Sequence, residues 1–400
     1  MTVNSITSEQ CCGCAACMEK CPVHAIGMMD DLNGNRRTIV SENLCIQCGL
    51  CAKVCPHFYE AECSSFEKQA YVGFANCKSL IKKSSSGGIF AILAQHVICQ
   101  GGCVYGAAMV YEGETLVCKH IRIDSLQSLS LLQGSKYVQS RTDGIYSMVS
   151  KDLSEGKLVL FSGTSCQVAS LKRFVGDKDL LFTVDLVCHG VPKDRVFRDY
   201  VTYLEKKHQC RIIDMSFRCK EKKFYGKEEM FILSFQCKKS ACQVEKKVVH
   251  NRKSAYYNLF LSKAGYRDSC YHCKYATLQK PADLTLGDFL PRKNEIEQYG
   301  FSSSEHYSSI IVHNEKGEAL IESVKNELVI HHLSMDEMLK HHHNLKTPSV
   351  PTLFGKKMYK VYLEKGFVGL QKKVDIKYMK FLIKARLNNC LKHVRVFIKQ

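Results

Sequence analysis

Residues 11–22 read CCGCAACMEKCP, and residues 45–56 read CIQCGLCAKVCP. Both segments have the spacing C-x2-C-x2-C-x3-C-P, so the second is a repeat of the first. The repeat places eight cysteines in one register, which are Cys11, Cys14, Cys17, Cys21, Cys45, Cys48, Cys51 and Cys55. Cys12 lies inside the first run but out of this register, and we interpret it as a spare thiol.

This spacing is typical of bacterial ferredoxins with two 4Fe-4S clusters. In each run three thiolates come from one loop, while the fourth begins a helix and points toward the other cluster. The pattern predicts that cluster one is held by Cys11, Cys14, Cys17 and Cys55, and cluster two by Cys45, Cys48, Cys51 and Cys21. Structural zinc is the alternative, but zinc sites use separated pairs of ligands rather than a run closed by Cys-Pro.

The segment between the two runs predicts a small β-hairpin. Residues 25–29 and 37–40 are rich in apolar side chains, and they flank Asn33-Gly34, a dipeptide suited to the positive φ angles of a tight turn. Residues 1–60 are therefore predicted to form a two-cluster ferredoxin domain. Such a module carries single electrons, so an acceptor is expected in the remainder of the chain.

The composition describes a basic chain with ample material for a core. It has 400 residues, 23 cysteines and a formal charge of +18, which suits a small module joined to one or two larger domains. The N-terminus lacks the features of a secretory signal, and no apolar run reaches the ~18 residues of a membrane span. We expect a cytoplasmic protein in a reducing compartment.

The positive charge is concentrated in residues 331–400, where we predict a basic helical tail. Residues 378–399 are expected to form an amphipathic helix that could lie on anionic lipid, pack on its own domain or attract an acidic redox protein. Nucleic acid is not an expected partner, because a recognisable binding motif is missing. We interpret His331-His332 and His341-His342-His343 as a solvated helix face rather than a metal site.

Beyond a polar linker, strand-like and helix-like segments alternate. Residues 104–110, 158–161, 180–187 and 230–235 are predicted strands. Residues 89–99 predict a buried helix, with Ser84-Ser85-Ser86-Gly87-Gly88 as its capped or anion-binding start. These segments predict an α+β chain in which helices cover a mixed sheet.

Six segments carry a family resemblance. They read SSSGGIF at residues 84–90, QGSKYVQS at 133–140, SGTSCQVA at 162–169, CHGVP at 188–192, RDSCYHC at 267–273 and ADLTLGDF at 282–289. In this order they resemble the beta subunit family of coenzyme F420 hydrogenases and dehydrogenases, over residues 70–150 and 151–330. The chain departs from the family pattern at Leu290-Pro291, where Trp-Gly is expected, and at Ser165, which stands in place of Pro.

The resemblance implies a flavoprotein that links one-electron carriers to a two-electron substrate. Ser- and Gly-rich turns let backbone N–H groups approach a phosphate, although the same turns could equally be structural. The candidate FAD-binding residues are Ser84, Ser85, Ser86, Gly87, Gly88, Gly134, Ser135, Lys136, Gly163 and Thr164. Lys136, His189 and Asp288 are candidate catalytic residues that could orient the flavin or donate a proton, or could be structural hydrogen-bonders.

Four further cysteines are candidates for a third 4Fe-4S cluster. Cys270 and Cys273 form a separated pair, while Cys166 and Cys188 each follow a predicted strand, where loops gather at one edge of a sheet. Zinc and simple burial of small apolar side chains are the alternatives. The resemblance and the need for closely spaced carriers favour the cluster. Other cysteines lack ligand spacing and are expected to be core or surface thiols, among them Cys63, Cys77, Cys99, Cys103 and Cys118.

Together these patterns predict an iron–sulfur flavoprotein oxidoreductase. Electrons would come from ferredoxin or another acidic redox protein, cross the clusters to FAD and reduce a small organic substrate. Some relatives sit beside polysaccharide pyruvyl transferases, so polysaccharide metabolism is one expected context. The alternatives are a non-catalytic electron-transfer subunit, a coenzyme F420 oxidoreductase and a lipid-docked scaffold whose clusters are structural.

Overall fold

A computed structural model describes residues 2–58, 65–218, 223–224, 227–228, 232–239, 243–301 and 306–397. Within these residues the chain forms two compact units. Unit one contains Met1–Asp194 and Arg267–Ser349, and unit two contains Arg195–Tyr266 and Val350–Gln400. The predicted boundary at residues 150 and 151 falls inside unit one, and the predicted 331–400 tail contributes residues to both units. Cys63 and residues 230–231 lie outside the described residues.

The strands and helices are numbered in chain order. The strands are β1 (Ile26–Asp30), β2 (Arg36–Val40), β3 (Gln69–Ala75), β4 (Cys103–Glu112), β5 (Thr115–Ile123), β6 (Val159–Ser162), β7 (Leu181–Leu186), β8 (Arg211–Ser216), β9 (Lys223–Phe224), β10 (Lys227–Glu228), β11 (Ile232–Lys238), β12 (Val244–His250), β13 (Leu284–Phe289), β14 (Tyr307–Val312) and β15 (Leu328–Leu333). The helices are α1 (Ala16–Glu19), α2 (Leu50–Lys53), α3 (Lys78–Lys83), α4 (Ile89–Cys99), α5 (Leu129–Leu132), α6 (Ile145–Ser154), α7 (Ser165–Val175), α8 (Asp194–His208), α9 (Ala255–Leu261), α10 (Asp268–Tyr271), α11 (Lys293–Tyr299), α12 (Glu315–Ser323), α13 (Met335–His341) and α14 (Leu353–Phe397).

The cysteine-rich segment folds around the predicted hairpin. β1 pairs with β2 in antiparallel register from Ile26 opposite Val40 to Asp30 opposite Arg36. Gly34 in the turn has a φ of 79°, a conformation that glycine adopts without steric cost. The carboxylate of Asp31 accepts hydrogen bonds from the main-chain N–H groups of Asn33 and Asn35. The hairpin predicted from Asn33-Gly34 is therefore confirmed.

An eight-stranded mixed sheet forms the body of unit one. Its strand order is β15-β3-β14-β13-β7-β6-β4-β5, with parallel pairing among β13, β7, β6 and β4 and antiparallel pairing elsewhere. Successive side chains of a strand point to opposite faces. In β4 and β6, Val104 and Leu160 accordingly belong to one buried cluster, whereas Tyr105 and Phe161 belong to another.

Helices cover both faces of this sheet. On one face lies α4, whose eleven residues are almost all apolar, and its Ile92, Leu93 and Val97 are buried. On the other face lie α6 and α7, which pack Tyr146 and Leu171 into the second cluster. The sequence prediction of helix at 89–99 and of strands at 104–110, 158–161 and 180–187 is confirmed, as is the mixed α/β class.

The cysteine-rich module is part of unit one. Cys14, Ala16 and Val54 of the module belong to the same buried cluster as Tyr146 and Phe161 of the body. Because apolar burial is the main favourable term in folding, this shared cluster joins the module to the face of the sheet that α6 and α7 cover.

Unit two contains a three-stranded antiparallel sheet of order β12-β11-β8 and the short pair β9 and β10. Helices α8, α9 and α14 contribute its aromatic core, in which Tyr200 of α8 stacks on Tyr256 of α9 with ring centroids 5.1 Å apart and contacts Phe367 of α14. α14 is two helical stretches joined at Gly366, whose φ of 63° is not helical.

Two details differ from the sequence predictions. His331 and His332 lie in β15, an edge strand of the large sheet, rather than on a helix. Leu328 and Leu333 at the ends of β15 are buried, and this burial holds the segment against β3. In unit two a disulfide joins Cys210 and Cys237, whereas the sequence analysis expects reduced cysteines. The backbone brings their Cα atoms within 5.7 Å of each other, a separation that suits a disulfide.

Two predictions concern membranes, one for the whole chain and one for the basic tail. Every helix in the described part of the chain is too short or too polar to cross a bilayer. Contact of the basic tail with a lipid surface stays a prediction.

A buried aspartate fastens the start of β13 to its neighbours. Asp283 is fully buried, and its carboxylate accepts hydrogen bonds from Thr183 N and Oγ1, both at 2.7 Å, from Lys172 Nζ at 2.9 Å and from Asn314 Nδ2 at 2.8 Å. Burial would raise the pKa of Asp283, but the Lys172 charge and these hydrogen bonds lower it below its ordinary value. The ionised form is therefore the one that the fold stabilises.

We expect Asp283→Asn to lower the free energy of unfolding by about 2–4 kcal/mol at neutral pH, because it leaves Lys172 without its partner. Since the folded pKa is depressed, the wild-type advantage should be complete above about pH 4, the ordinary range for Asp, and should shrink as the pH falls further. Anaerobic urea denaturation would measure both. Asp177→Asn is the matched control, since the Asp177 carboxylate is 97% exposed; equal effects of the two substitutions would contradict the prediction.

Candidate functional site

A cavity in the module carries the four thiols predicted for cluster two. Its walls are apolar and include one cysteine of the first run together with three of the second, and the lining residues are Thr2, Cys21, Val23, Ile26, Val40, Cys45, Ile46, Cys48, Gly49 and Cys51. Four thiols around one enclosed space are the donor set that a 4Fe-4S cube requires. The residues present therefore fit cluster two, and Cys21 of the first run is the fourth thiol, as the sequence predicts.

The four thiols predicted for cluster one are buried near each other. Burial raises the pKa of Cys17 far above its ordinary value, and the charges of Cys14, Cys11 and Cys55 raise it further. Burial likewise raises the pKa of Cys55 to about 12, with contributions from Cys14 and Cys11. Thiolates this close repel each other, so bound metal is what stabilises their ionised form.

The two runs repeat in conformation as well as in spacing. Gly13 and Ala15 of the first run have φ angles of 68° and 61°, and the equivalent Gln47 and Gly49 of the second have 54° and 74°. Left-handed residues are uncommon outside glycine, so their recurrence at equivalent positions indicates one loop geometry used twice. This curvature brings the thiols of each loop to one side.

Another set of thiols lies in the body of unit one and is called the third thiol group: Cys166, Cys188, Cys270 and Cys273. Cys166 lies in the first turn of α7, after β6, and Cys188 follows β7, so both occupy the carboxyl edge of the parallel strands. Burial raises the pKa of Cys188 to about 12, and Cys273 and Cys166 raise it further. Burial is also the largest cause of the raised pKa of Cys270, and the charges of Cys188 and Cys273 raise it further. Each of the four predicted thiols thus lies within electrostatic range of at least two of the others.

Cys12 connects the module to the third thiol group. Hydrogen bonds with Cys14 and Cys166 raise its pKa, and burial adds to them. The pKa of Cys166 shifts in the opposite direction, because the hydrogen bond from Cys12 lowers it to about 7 against the effect of burial. The sequence analysis interprets Cys12 as a spare thiol; its position inside a ligand run was the signal that it adjoins the site.

The body holds this part of the module through the module's main-chain carbonyls. Thr142 Oγ1 donates to the Cys14 carbonyl at 2.6 Å, and Gln139 Nε2 donates to the Cys12 carbonyl at 3.0 Å. Arg36 of the module also forms an ion pair with Asp143 at 2.8 Å. Gln139 and Ser140 are the last two residues of the QGSKYVQS segment, and Asp143 follows three residues later. The end of this family-like segment therefore contacts the first cysteine run.

Two of the three candidate flavin-binding segments lie together. Ser85 Oγ accepts a hydrogen bond from Ser135 N at 2.6 Å, which joins the segment 84–88 to 134–136. The other serines also have partners inside the protein, since Ser84 Oγ donates to the Leu80 carbonyl and Ser86 Oγ contacts Ser308 Oγ at 2.9 Å. These contacts are those of ordered turns, the structural alternative left open by the sequence.

The details of the segment 84–88 correct one prediction. Gly88, with a φ of 84°, is the N-cap of α4, and no side chain caps that helix; of the two predicted alternatives the side-chain cap is therefore not formed, and the anion-binding start stays a prediction. A Cβ atom on Gly87 would lie 2.5 Å from the Gly73 carbonyl oxygen, so close backbone packing requires glycine there. The third segment, Gly163-Thr164, follows β6, and Thr164 caps α7 through a reciprocal contact with Gln167.

The candidate catalytic residues divide into two places. His189 and Asp288 both lie near the buried His342, whose pKa burial lowers to about 4, with His341 and His189 lowering it and Asp288 raising it. His342 Nε2 lies 2.6 Å from Ser309 Oγ. Lys136 instead donates to the carbonyls of Leu131 and Gln133.

His342 was missed by the sequence analysis, which interpreted His341-His342-His343 as solvated. His341 and His342 are in fact largely buried, and His341 Nε2 lies 2.7 Å from Glu295 Oε1. Their neighbours come from α11 and β14, so the sequence near these histidines carries no signal of the contact.

Comparison with known proteins agrees with this arrangement. Residues 10–58 match the 4Fe-4S dicluster domain, and residues 156–337 match the C-terminal part of the beta subunit of coenzyme F420 hydrogenase/dehydrogenase. The chain is thus an electron-transfer iron–sulfur protein with a mixed α/β body. Residues 156–337 are thus related to that beta subunit, and the dicluster domain precedes them at residues 10–58.

One solved structure is similar at low identity. It is a chain of the F420-reducing nickel–iron hydrogenase complex from Methanosarcina barkeri, with 13% identity and a TM-score of 0.45 over 74% of this chain and 92% of that chain. No curated protein matches the chain.

The exchange of cysteines between the runs predicts a pattern of iron loss. Cys21→Ala and Cys48→Ala should each remove about four irons, because each cluster holds four. If Cys21 is a ligand of cluster two, the double variant should lose no more iron than either single variant, whereas Cys21→Ala with Cys17→Ala should lose about eight. Iron and sulfide analysis of anaerobically purified protein would measure this.

Cys99→Ala is the control for these variants, since Cys99 is exposed on α4. An additive loss in the Cys21 and Cys48 double variant, with Cys99→Ala intact, would contradict the exchange.

Proposed function

We propose that the protein is an iron–sulfur flavoprotein oxidoreductase that passes electrons through the dicluster module and a third 4Fe-4S cluster to FAD and on to a small organic substrate. The observation that carries the proposal is the continuity of thiols: Cys14 of cluster one contacts Cys12, and Cys12 contacts Cys166 of the third thiol group. Electron transfer needs closely spaced carriers, and this contact supports such spacing inside one compact unit.

The residues of the third thiol group suit a cluster. Their burial favours the neutral thiol, so four ionised thiolates need metal to compensate them. Lys280 is close enough to lower the pKa of Cys188 and Cys273, after the larger effect of burial, and its Nζ donates to the Tyr275 carbonyl at 2.6 Å. A fixed cation beside the group would favour an anionic cluster there.

The segments 84–88, 134–136 and 163–164 are the proposed FAD-binding residues. When bound, FAD converts one-electron supply into two-electron reduction. Gly134, with a φ of 80°, has open space where a side chain would be, which leaves room for a phosphate beside this turn. His189 and Asp288 would hold or deliver a proton near His342, which burial keeps neutral.

Anaerobic purification with analysis of iron, sulfide and flavin tests this proposal. We expect about twelve irons and one FAD for each chain, and about eight irons in Cys273→Ala with the dicluster signals retained in electron paramagnetic resonance. Cys99→Ala is again the control. About eight irons in the wild-type protein would exclude the third cluster, and absence of flavin would leave an electron-transfer subunit without substrate chemistry.

Ferredoxin or another acidic redox protein is the proposed electron donor. The formal charge of +18 would attract an acidic partner, and attraction between exposed charges is screened by salt. We expect the rate of cluster reduction by reduced ferredoxin, followed in a stopped-flow spectrometer, to fall as sodium chloride rises from about 0.05 to 0.5 M, while reduction by dithionite changes much less. A ferredoxin rate independent of salt would contradict the proposed partner chemistry.

A further inference from the structure

A buried arginine lies between the dicluster module and the third thiol group. Arg267 precedes α10, and only 1% of its surface is exposed. A fully buried arginine is rare unless it is paired with an anion. The groups around Arg267 should therefore show which anion its guanidinium charge would pair with.

The guanidinium donates only to neutral acceptors in the described part of the chain. Nη1 donates to Gln139 Oε1 at 2.6 Å, and Nη2 donates to the carbonyls of Cys11 at 3.0 Å and Arg36 at 2.7 Å. Nε has no hydrogen-bond partner among the described residues. An unpaired buried charge costs several kcal/mol, so an anion is expected beside it.

The module is shaped to admit this side chain. A Cβ atom on Gly13 would lie 2.8 Å from Nη2 of Arg267 and 2.6 Å from the Arg36 carbonyl. Gly13 also has a φ of 68°. Glycine at this position thus lets the guanidinium lie against the loop of the first run.

Two thiols of the third group, Cys166 and Cys270, lie within electrostatic range of Arg267. Its charge lowers the pKa of Cys166, after the larger effect of the Cys12 hydrogen bond, and that of Cys270 against the larger effect of burial. The backbone fixes this placement, since Arg267 N donates to the Val191 carbonyl at 2.9 Å and Cys270 N donates to the Arg267 carbonyl at 3.0 Å.

We propose that Arg267 is the buried counter-ion of the cluster held by the third thiol group and that it sets the reduction potential of that cluster. The proposal rests on the third cluster of the proposed function. Reduction adds one negative charge to the cluster, and a fixed cation in a buried site stabilises the more negative form. The carbonyl contacts to Cys11 and Arg36 hold the same cation against the module, so Arg267 is a positioning residue for electron transfer between the two.

The test compares full-length wild-type, Arg267→Met and Arg267→Lys proteins, purified anaerobically and titrated potentiometrically with electron paramagnetic resonance detection. Cys273→Ala identifies the third-cluster signal by its loss. In Arg267→Met we expect that one midpoint potential to shift to a more negative value, or the four irons of that cluster to be lost, while both dicluster signals remain. Arg267→Lys should keep the cluster and most of the wild-type potential, because it retains the charge without the planar fork of donors.

Arg173→Met is the matched control, because Arg173 Nε also donates to a module carbonyl, that of Lys53, but the contact is exposed. It should leave all three potentials unchanged. Three full clusters with unchanged potentials in Arg267→Met would overturn the role of Arg267 and leave the proposed function standing. Loss of clusters from both Arg267 variants would show a purely structural role and would also overturn it. A wild-type protein with about eight irons would overturn the third cluster and the counter-ion together.

Discussion

The placement of Cys21 beside the second run is the feature that joins the two halves of the module. Cys21 lines the same cavity as Cys45, Cys48 and Cys51, so the predicted ligand set of cluster two takes thiols from both runs. With this ligand set, metal binding would couple the folding of both halves, because metal stabilises thiolates that otherwise repel each other. The short helices α1 and α2, of four residues each, are too short to be stable alone and depend on this event.

The body uses the module's backbone as a docking surface. Thr142, Gln139 and Arg267 donate to carbonyls of Cys14, Cys12 and Cys11, three neighbouring positions in the first run. Carbonyl acceptors of a ligand loop are fixed once the loop has curved around its cluster. This gives a physical reason for the body to recognise the folded module: the acceptors are in place only when the loop has its left-handed positions at Gly13 and Ala15.

The sequence predicted those features whose signals are local. The cysteine spacing, the Asn33-Gly34 hairpin and the apolar run of α4 each lie within a few residues of the structure that they specify, and each was predicted correctly. β15 was missed because two of its six residues, His331 and His332, are polar and exposed to solvent. Polar residues of this kind are common on edge strands. His342 and Arg267 were missed because their partners lie 33 and more residues away in the sequence, and only the assembled sheet brings them close.

The distribution of buried charge gives the strongest link between the fold and the redox site. Two other buried charges in the described part of unit one have charged partners: Asp283 has Lys172, and Asp152 has Arg122 and Lys157. Arg267 is buried at least as deeply as Asp152, yet it donates only to neutral acceptors among the described residues. Burying the Arg267 cation without an anionic partner would lower the stability of the fold. The charge is understandable where four thiols converge, because an anion held by those thiols would complete the pair.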